Sequence, residues 1–403
     1  MMKKYKVYIG FLLLAGLSSC DDSYRGVEDE LVSGKEPLPV IVSVGDPSGN
    51  VVKSAQTKGF GPVDKVSDLL GKDVYVYAFN KNDGTSYKVT RKTSELSCLV
   101  DASTDTPSST GGKKAMLNAS EAYLDWGSSS KTILWPNLQN STVAYDFFAY
   151  YLGGITPSPS SIVREDDRIF LNLEIDGNND LMTSKSYVTA SQQAGMSDKD
   201  KLSVDAYSFS YYTAARNINP SFVFNHNLVR LDFEAIPGVT MDLHKKVFIQ
   251  NIVVASQTNA RLTVAAKDPA QMGVTFIGSH KSLPMALKDG SPFPQDNYYI
   301  ITRMSDSERA ETLTFDGSLF LAPSSTYSVT VGLKEMEQNM EGVHREANFN
   351  FSISMGEDGF ACGNRYKVKM TVYGSDNVSV SVSAVEWEDG GGLIVDKGDE
   401  PPV

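Results

Sequence analysis

The chain is short of the residues that make reaction centres. Four histidines, His226, His244, His280 and His344, are spread over 403 residues, and no pair stands at His-x-x-x-His spacing. A helix-borne metal pair is therefore excluded. There is no Gly-x-Ser-x-Gly elbow, so a serine hydrolase has no support. No glycine loop of the phosphate-cradling kind occurs either. The stretch Asp176-Gly177-Asn178-Asn179-Asp180 offers oxygen ligands at positions one, three and five of a calcium loop. Position six is Leu181 where glycine is required, and position twelve is Tyr187 where glutamate is required. It reads as a polar turn closing a hairpin. No catalytic, metal or cofactor residue is assigned, and the chain is read as non-enzymatic.

Basic charge is also in deficit. Lys and Arg total 37 against 49 acidic residues, a net charge of −12. A nucleic-acid or anionic lipid surface gives such a chain no electrostatic gain. Cysteine is scarce: Cys20, Cys98 and Cys362. A disulfide-dense scaffold and a zinc ribbon are excluded. Cys98 and Cys362 either form one bridge in an oxidising envelope or remain two thiols. Long apolar stretches are missing as well. The run Val7–Leu17 is about half the roughly 20 residues needed to cross a bilayer.

That run belongs to the front of the chain, which is informative. Lys3, Lys4 and Lys6 precede it, and Leu17-Ser18-Ser19-Cys20 follows. A basic start, an apolar core and small residues at the cut make a secretory signal peptide. Cysteine at the cut marks a lipoprotein, with Cys20 lipidated and becoming the first residue. Acyl chains then hold the protein to a membrane. Residues 1–19 are the signal peptide and 20–36 a tether.

Beyond the tether, alternation with a period of two dominates, as half-buried strands require. Strands are expected at Val74–Phe79, Ile169–Ile175, Leu228–Ala235, Phe349–Ser354, Tyr366–Val372 and Val378–Ser383. Turns are expected at Asn82-Asp83-Gly84, Asp176-Gly177, Asp289-Gly290 and Asp316-Gly317. Short helices are expected near Val66–Leu70 or Ala119–Leu124. The pattern predicts an all-β protein of two tandem β-sandwich domains, 37–215 and 216–403. Tyr150-Tyr151 and Tyr211-Tyr212 offer a sugar-stacking platform or, more simply, core and edge packing. Trp126 and Trp135 are expected to anchor the first domain. His226 is expected to be a satisfied structural residue.

Several segments, taken in order, resemble the fimbrillin family of Bacteroidetes, the type V pilins and their relatives. Asp21-Asp22 after the lipidated cysteine resembles the surface-export signal of lipoproteins from that phylum. Leu38–Val44 looks like a first strand. Gln56-Thr57-Lys58-Gly59 is similar to the family's Thr-basic step, and Lys72–Phe79 to its early strand. Asp180-Leu181-Met182-Thr183-Ser184 resembles a Leu-Met-rich motif. Phe222–Phe233 resembles a Phe-x-His-x-Leu-x-x-Leu-x-Phe segment, and Gly363–Trp387 the family's ending.

The resemblance implies transthyretin-like sandwiches and a subunit of a surface fimbrium. It implies a cut after a basic residue that removes the first strand, carried here by Leu38, Val40, Val42 and Val44. Residues 37–58 would then be strand and pro-segment. The cut would fall after Lys58, where the family's shaft subunits usually have arginine, so an uncut, lipid-held anchor is the other outcome. The vacated groove would accept a strand from another subunit. Leu393-Ile394-Val395, after the joint Gly390-Gly391-Gly392, is either that donor or a terminal strand. Implied partners are other fimbrial subunits, in a homo- or hetero-polymer, the outer membrane through the lipid, and a host or bacterial surface ligand. A surface lipoprotein that binds glycans or host ligands without polymerising is the alternative.

Overall fold

A computed structural model describes residues 37–45, 63–64, 66–82, 84–102, 110–118, 123–127, 132–136, 142–293, 299–303, 311–337 and 345–385. Cys20, Lys58 and Leu393–Val395 lie outside the described residues.

The fold is all-β, as the alternation predicts. In chain order the strands are β1 (Ser43–Val44), β2 (Asp73–Asn80), β3 (Cys98–Val100), β4 (Lys113–Leu117), β5 (Leu124–Asp125), β6 (Tyr145–Leu152), β7 (Ile162–Arg164), β8 (Arg168–Glu174) and β9 (Leu181–Lys185). Helices α1 (Asp198–Ala206) and α2 (Tyr211–Ala214) follow. Then come β10 (Ser221–Phe222), β11 (Asn225–His226), β12 (Val229–Pro237), β13 (Lys245–Ala266), β14 (Gly273–Pro284), β15 (Tyr299–Thr302) and β16 (Leu313–Leu321). The last four are β17 (Thr326–Glu337), β18 (Arg345–Ser354), β19 (Arg365–Gly374) and β20 (Asn377–Val385).

One sheet runs β11-β9-β6-β2-β4-β5, with β3 beside β2. Its centre is β2 and β6, whose Val, Tyr and Phe side chains are buried on both faces. A second sheet runs β16-β12-β19-β20. A third runs β18-β17-β13-β8-β7, and β14 and β15 pair with the other edge of β13. β12 and β19 bury every second residue, which turns one face of their sheet to the core.

Two cores result. One is formed by Val229, Leu231, Phe233, Val247, Val254, Leu319, Val329, Val331, Val368 and Met370 with their neighbours. The other gathers Tyr77, Phe79, Phe148, Tyr150, Leu171 and Leu181 with Leu262 and Val264. Strand β13, 22 residues long, contributes its first half to one core and its second half to the other. It pairs with β17 over Lys245–Val254 and with β8 over Asn259–Ala266.

Three local expectations change. Asp176-Gly177 does not close a hairpin: β8 and β9 belong to different sheets, and the bend carries the chain from one to the other. Gly177 is required there, because it has φ +90° and a Cβ would meet the Leu319 side chain at 2.9 Å. Asp316-Gly317 is not a turn but lies inside β16, where the β12 register shifts between Asp232 and Glu234. A Cβ on Gly317 would sit 2.2 Å from the Ala286 carbonyl oxygen, so a close backbone approach explains the glycine. Val66–Leu69 is a short 3-10 helix as expected. Of the other candidate, Ala119–Leu124, the described residues are extended: Tyr123 bridges to Ser43 and Leu124 opens β5.

Candidate functional site: the seat of the first strand

The segment Leu38–Gly45 is extended and ends in β1; one backbone edge is engaged from Leu38 to Val42 and the other at Ser43 and Gly45. On one side the Trp135 N–H donates to the Leu38 carbonyl at 3.0 Å, and the Val40 N–H donates to Ile133 at 2.8 Å. Further along the same side, the Leu124 N–H donates to the Val42 carbonyl at 2.8 Å. On the other side Ser43 donates to Pro220 at 3.1 Å and Gly45 to Phe222 at 2.8 Å. There β1 runs parallel to β10, with Ser43 opposite Ser221 and Val44 opposite Phe222.

Side chains complete the seat. The Trp126 indole N–H donates to the Val40 carbonyl at 3.2 Å. The Ser221 hydroxyl donates to the Gly45 carbonyl. Ser186 holds β10 in place: its hydroxyl donates to the Ser221 carbonyl and accepts the Ser221 N–H, each at 2.9 Å.

The strand keeps the period of two. Val40, Val42 and Val44 are 3%, 0% and 4% exposed, and Leu38 is half-buried. Burying a valine side chain contributes about 1.5–3 kcal/mol. The opposite face carries Pro39, Ile41 and Ser43. Pro39 stands at the start of the strand, where a missing N–H costs least. All four residues expected to form a first strand therefore line one seat.

Downstream, the chain is held a second time. The Val63 N–H reaches an Asp180 carboxylate oxygen at 3.4 Å. Asp180, fully buried, also meets His226 Nδ1 at 2.9 Å. Thus His226 is the satisfied structural histidine expected. Asp64 is ion-paired with Arg230. Arg230 Nε in turn meets Asp232 at 2.9 Å, and Asp232 is shared with Arg365 and the Ser318 hydroxyl. Burial pushes the Asp232 pKa up, but Arg230, Ser318 and Arg365 outweigh it and leave it below the ordinary carboxylate value. So the chain on each side of residues 46–62, which include Lys58, has its own anchorage.

Other candidates resolve simply. Cys98 is buried and Cys362 is exposed, and both are free thiols, so no bridge joins them. Tyr150, Tyr151 and Tyr211 are buried and present no face to a sugar. Tyr212 has the Arg216 guanidinium 3.7 Å from its ring centre and Tyr207 against its edge. Trp135 is a buried anchor as expected, packed on Tyr145 and Phe147. Among the described residues no group of three His, Cys, Asp or Glu side chains is placed to hold a metal ion. Among them, too, no helix is long and apolar enough to cross a membrane. The walls of the seat and the clamp at Asp180, His226 and Arg230 were not legible in the sequence. They are brought together across separations of up to 176 residues, at the Ser221–Gly45 hydrogen bond.

No protein-family model and no curated relative matches the chain. Solved structures do. A protein from Bacteroides uniformis described as a candidate cell adhesion protein is 14% identical, with a TM-score of 0.45 over 87% of this chain and 98% of that one. A fimbrial protein from Bacteroides vulgatus is 11% identical, with a TM-score of 0.43 over 87% and 100%. The C-terminally truncated tip fimbrial protein of Porphyromonas gingivalis is 11% identical, with a TM-score of 0.36 over 87% and 100%.

Proposed function

We propose that this chain is a structural, non-enzymatic subunit of a cell-surface fimbrium, exported with a lipid on Cys20 and assembled by exchange of a β-strand. Residues 37–215 and 216–403 act as two sandwiches in series, spanned by β13. The observation that carries the reading is the seat of Leu38–Gly45. A strand that lies between two backbone edges with its valines buried leaves, when removed, unpaired N–H and C=O groups beside an apolar trough. Such a trough is filled best by another extended segment, which is β-strand addition. The strand is N-terminal, and only the stretch 46–62 links it to a separately clamped chain. A cut after Lys58 would free it without loosening Val63 or Asp64.

Partners in this reading are other subunits of the same or a related kind, the outer membrane through the lipid, and a surface ligand. Leu393-Ile394-Val395 is the donor segment proposed. The test is trypsin-like cleavage of lipid-free protein followed by N-terminal sequencing and size-exclusion chromatography. A new N-terminus at Gly59 together with oligomers is expected. Protein that is cut at Lys58 and stays monomeric would sink the shaft-subunit reading. Sequencing protein sheared from cells then separates roles, since a blocked Cys20 means an anchor and Gly59 a processed subunit.

A further inference from the structure

The last described strand, β20, offers a second place for a strand. β20 closes the β16-β12-β19-β20 sheet, and among the described residues its outer backbone edge pairs with no strand. Exposed edges are usually defended by lysine, proline or a bulge. β20 has none of these. Its nine residues, Asn377–Val385, carry no charge and no proline. Its pairing with β19 is regular from Val385 opposite Arg365 to Val378 opposite Val372, with a shift only at the Gly374 end.

From Val378 to Ser383 the two faces are of one kind each. Ser379, Ser381 and Ser383 are exposed, whereas Val380 and Val382 are half-buried against the core. The facing sheet ends in β18, whose Phe349 and Phe351 are also only half-buried against that core. The rim between β18 and β20 is thus apolar and partly covered. One more strand beyond β20, with valine-like residues facing in, would complete it.

We propose that β20 is a docking edge for a second copy of this chain, paired antiparallel about a two-fold axis. The strand is complementary to itself. In an in-phase register, such as Val380 opposite Val380 and Ser379 opposite Ser381, Val378, Val380 and Val382 of both copies face inward and Ser379, Ser381 and Ser383 outward. A slip of one residue sets valine against serine, so the register is specified. Two-fold symmetry demands such self-complementarity of the patch. The whole chain carries a net charge of −12, which opposes association, but the paired edge itself carries none. This pairing does not depend on the fate of the first strand, which stays seated in uncut protein.

Sedimentation equilibrium of the uncut, full-length chain tests it. The wild type should reach dimer mass as concentration rises. S379K/S381K and S379E/S381E, both at exposed positions, should keep the thermal midpoint and sediment as monomers, because like charges then face each other. Mixed one to one, the two variants should recover dimer mass. A monomeric wild type, a dimer untouched by either set of charges, or variants that do not recombine would each overturn the proposal. So would a full-length monomer that dimerises only once residues 386–403 are removed, since the chain's own tail would then be the occupant.

Discussion

The Leu124 N–H donates to the Val42 carbonyl at 2.8 Å, and the Val42 side chain beneath it is wholly buried. Backbone pairing and apolar burial thus meet at the middle of the first strand. V42A should destabilise the protein by about 1–3 kcal/mol, from lost transfer energy and a residual cavity. Urea denaturation measures this. An unchanged midpoint would mean that the strand is not seated as described.

Trp126 tests the same seat through a polar contact. Its indole N–H is a donor to the Val40 carbonyl, and W126F removes that bond while keeping an aromatic ring. A loss of about 0.5–1.5 kcal/mol is expected. In protein cut after Lys58, the freed peptide should also leave the W126F seat faster. A fluorescent label on the peptide reads the rate, and equal rates in wild type and W126F would assign the indole no part in holding the strand.

What the sequence made legible was local. Val74–Phe79 and Tyr366–Val372 show β-branched and aromatic residues in alternation, and both are strands in the fold. β13 was not legible, although it is the longest described strand, because three register shifts, near Asn251, Asn259 and Ala265, break its alternation. α1 was missed for the opposite reason. It buries only Val204, so no apolar stripe repeats, and its signal is a cap in which the Ser197 hydroxyl accepts the Asp200 N–H at 3.2 Å. In the seat, the alternating valines of the strand could be read from sequence. Its walls, Leu124, Ile133, Trp135 and Phe222, depend on chain crossings that no local pattern encodes.

The buried pair Arg164 and Asp101 gives a prediction about the N-terminal core. Arg164 meets Asp101 at 2.7 Å, with side-chain exposures of 2% and 0%. It also donates to the Tyr87 and Val89 carbonyls at 2.8 Å each, tying the loop after β2 to β7. Burial raises the Asp101 pKa against the pull of Arg164. R164M should cost about 3–5 kcal/mol, because it leaves a buried carboxylate and two carbonyls without their donor. The double variant D101L/R164M should recover part of that loss. A double variant less stable than R164M alone would show that the pair is not the main cost.

Asp232 sets the response to acid near the downstream clamp. Its folded pKa lies below the ordinary carboxylate value, despite the opposing effect of burial, because two arginines and a serine hold the charged form. The unfolded value is about 3.9. A carboxylate depressed on folding contributes stability that is fully present above the unfolded pKa. That contribution is lost as pH falls through the folded pKa. D232N should therefore be less stable than the wild type at pH 7, and the gap should narrow below about pH 4. Urea midpoints of both proteins across that range measure the gap. A gap that stays constant down to the acid limit would mean that Arg230 and Arg365 do not act on Asp232 through its charge.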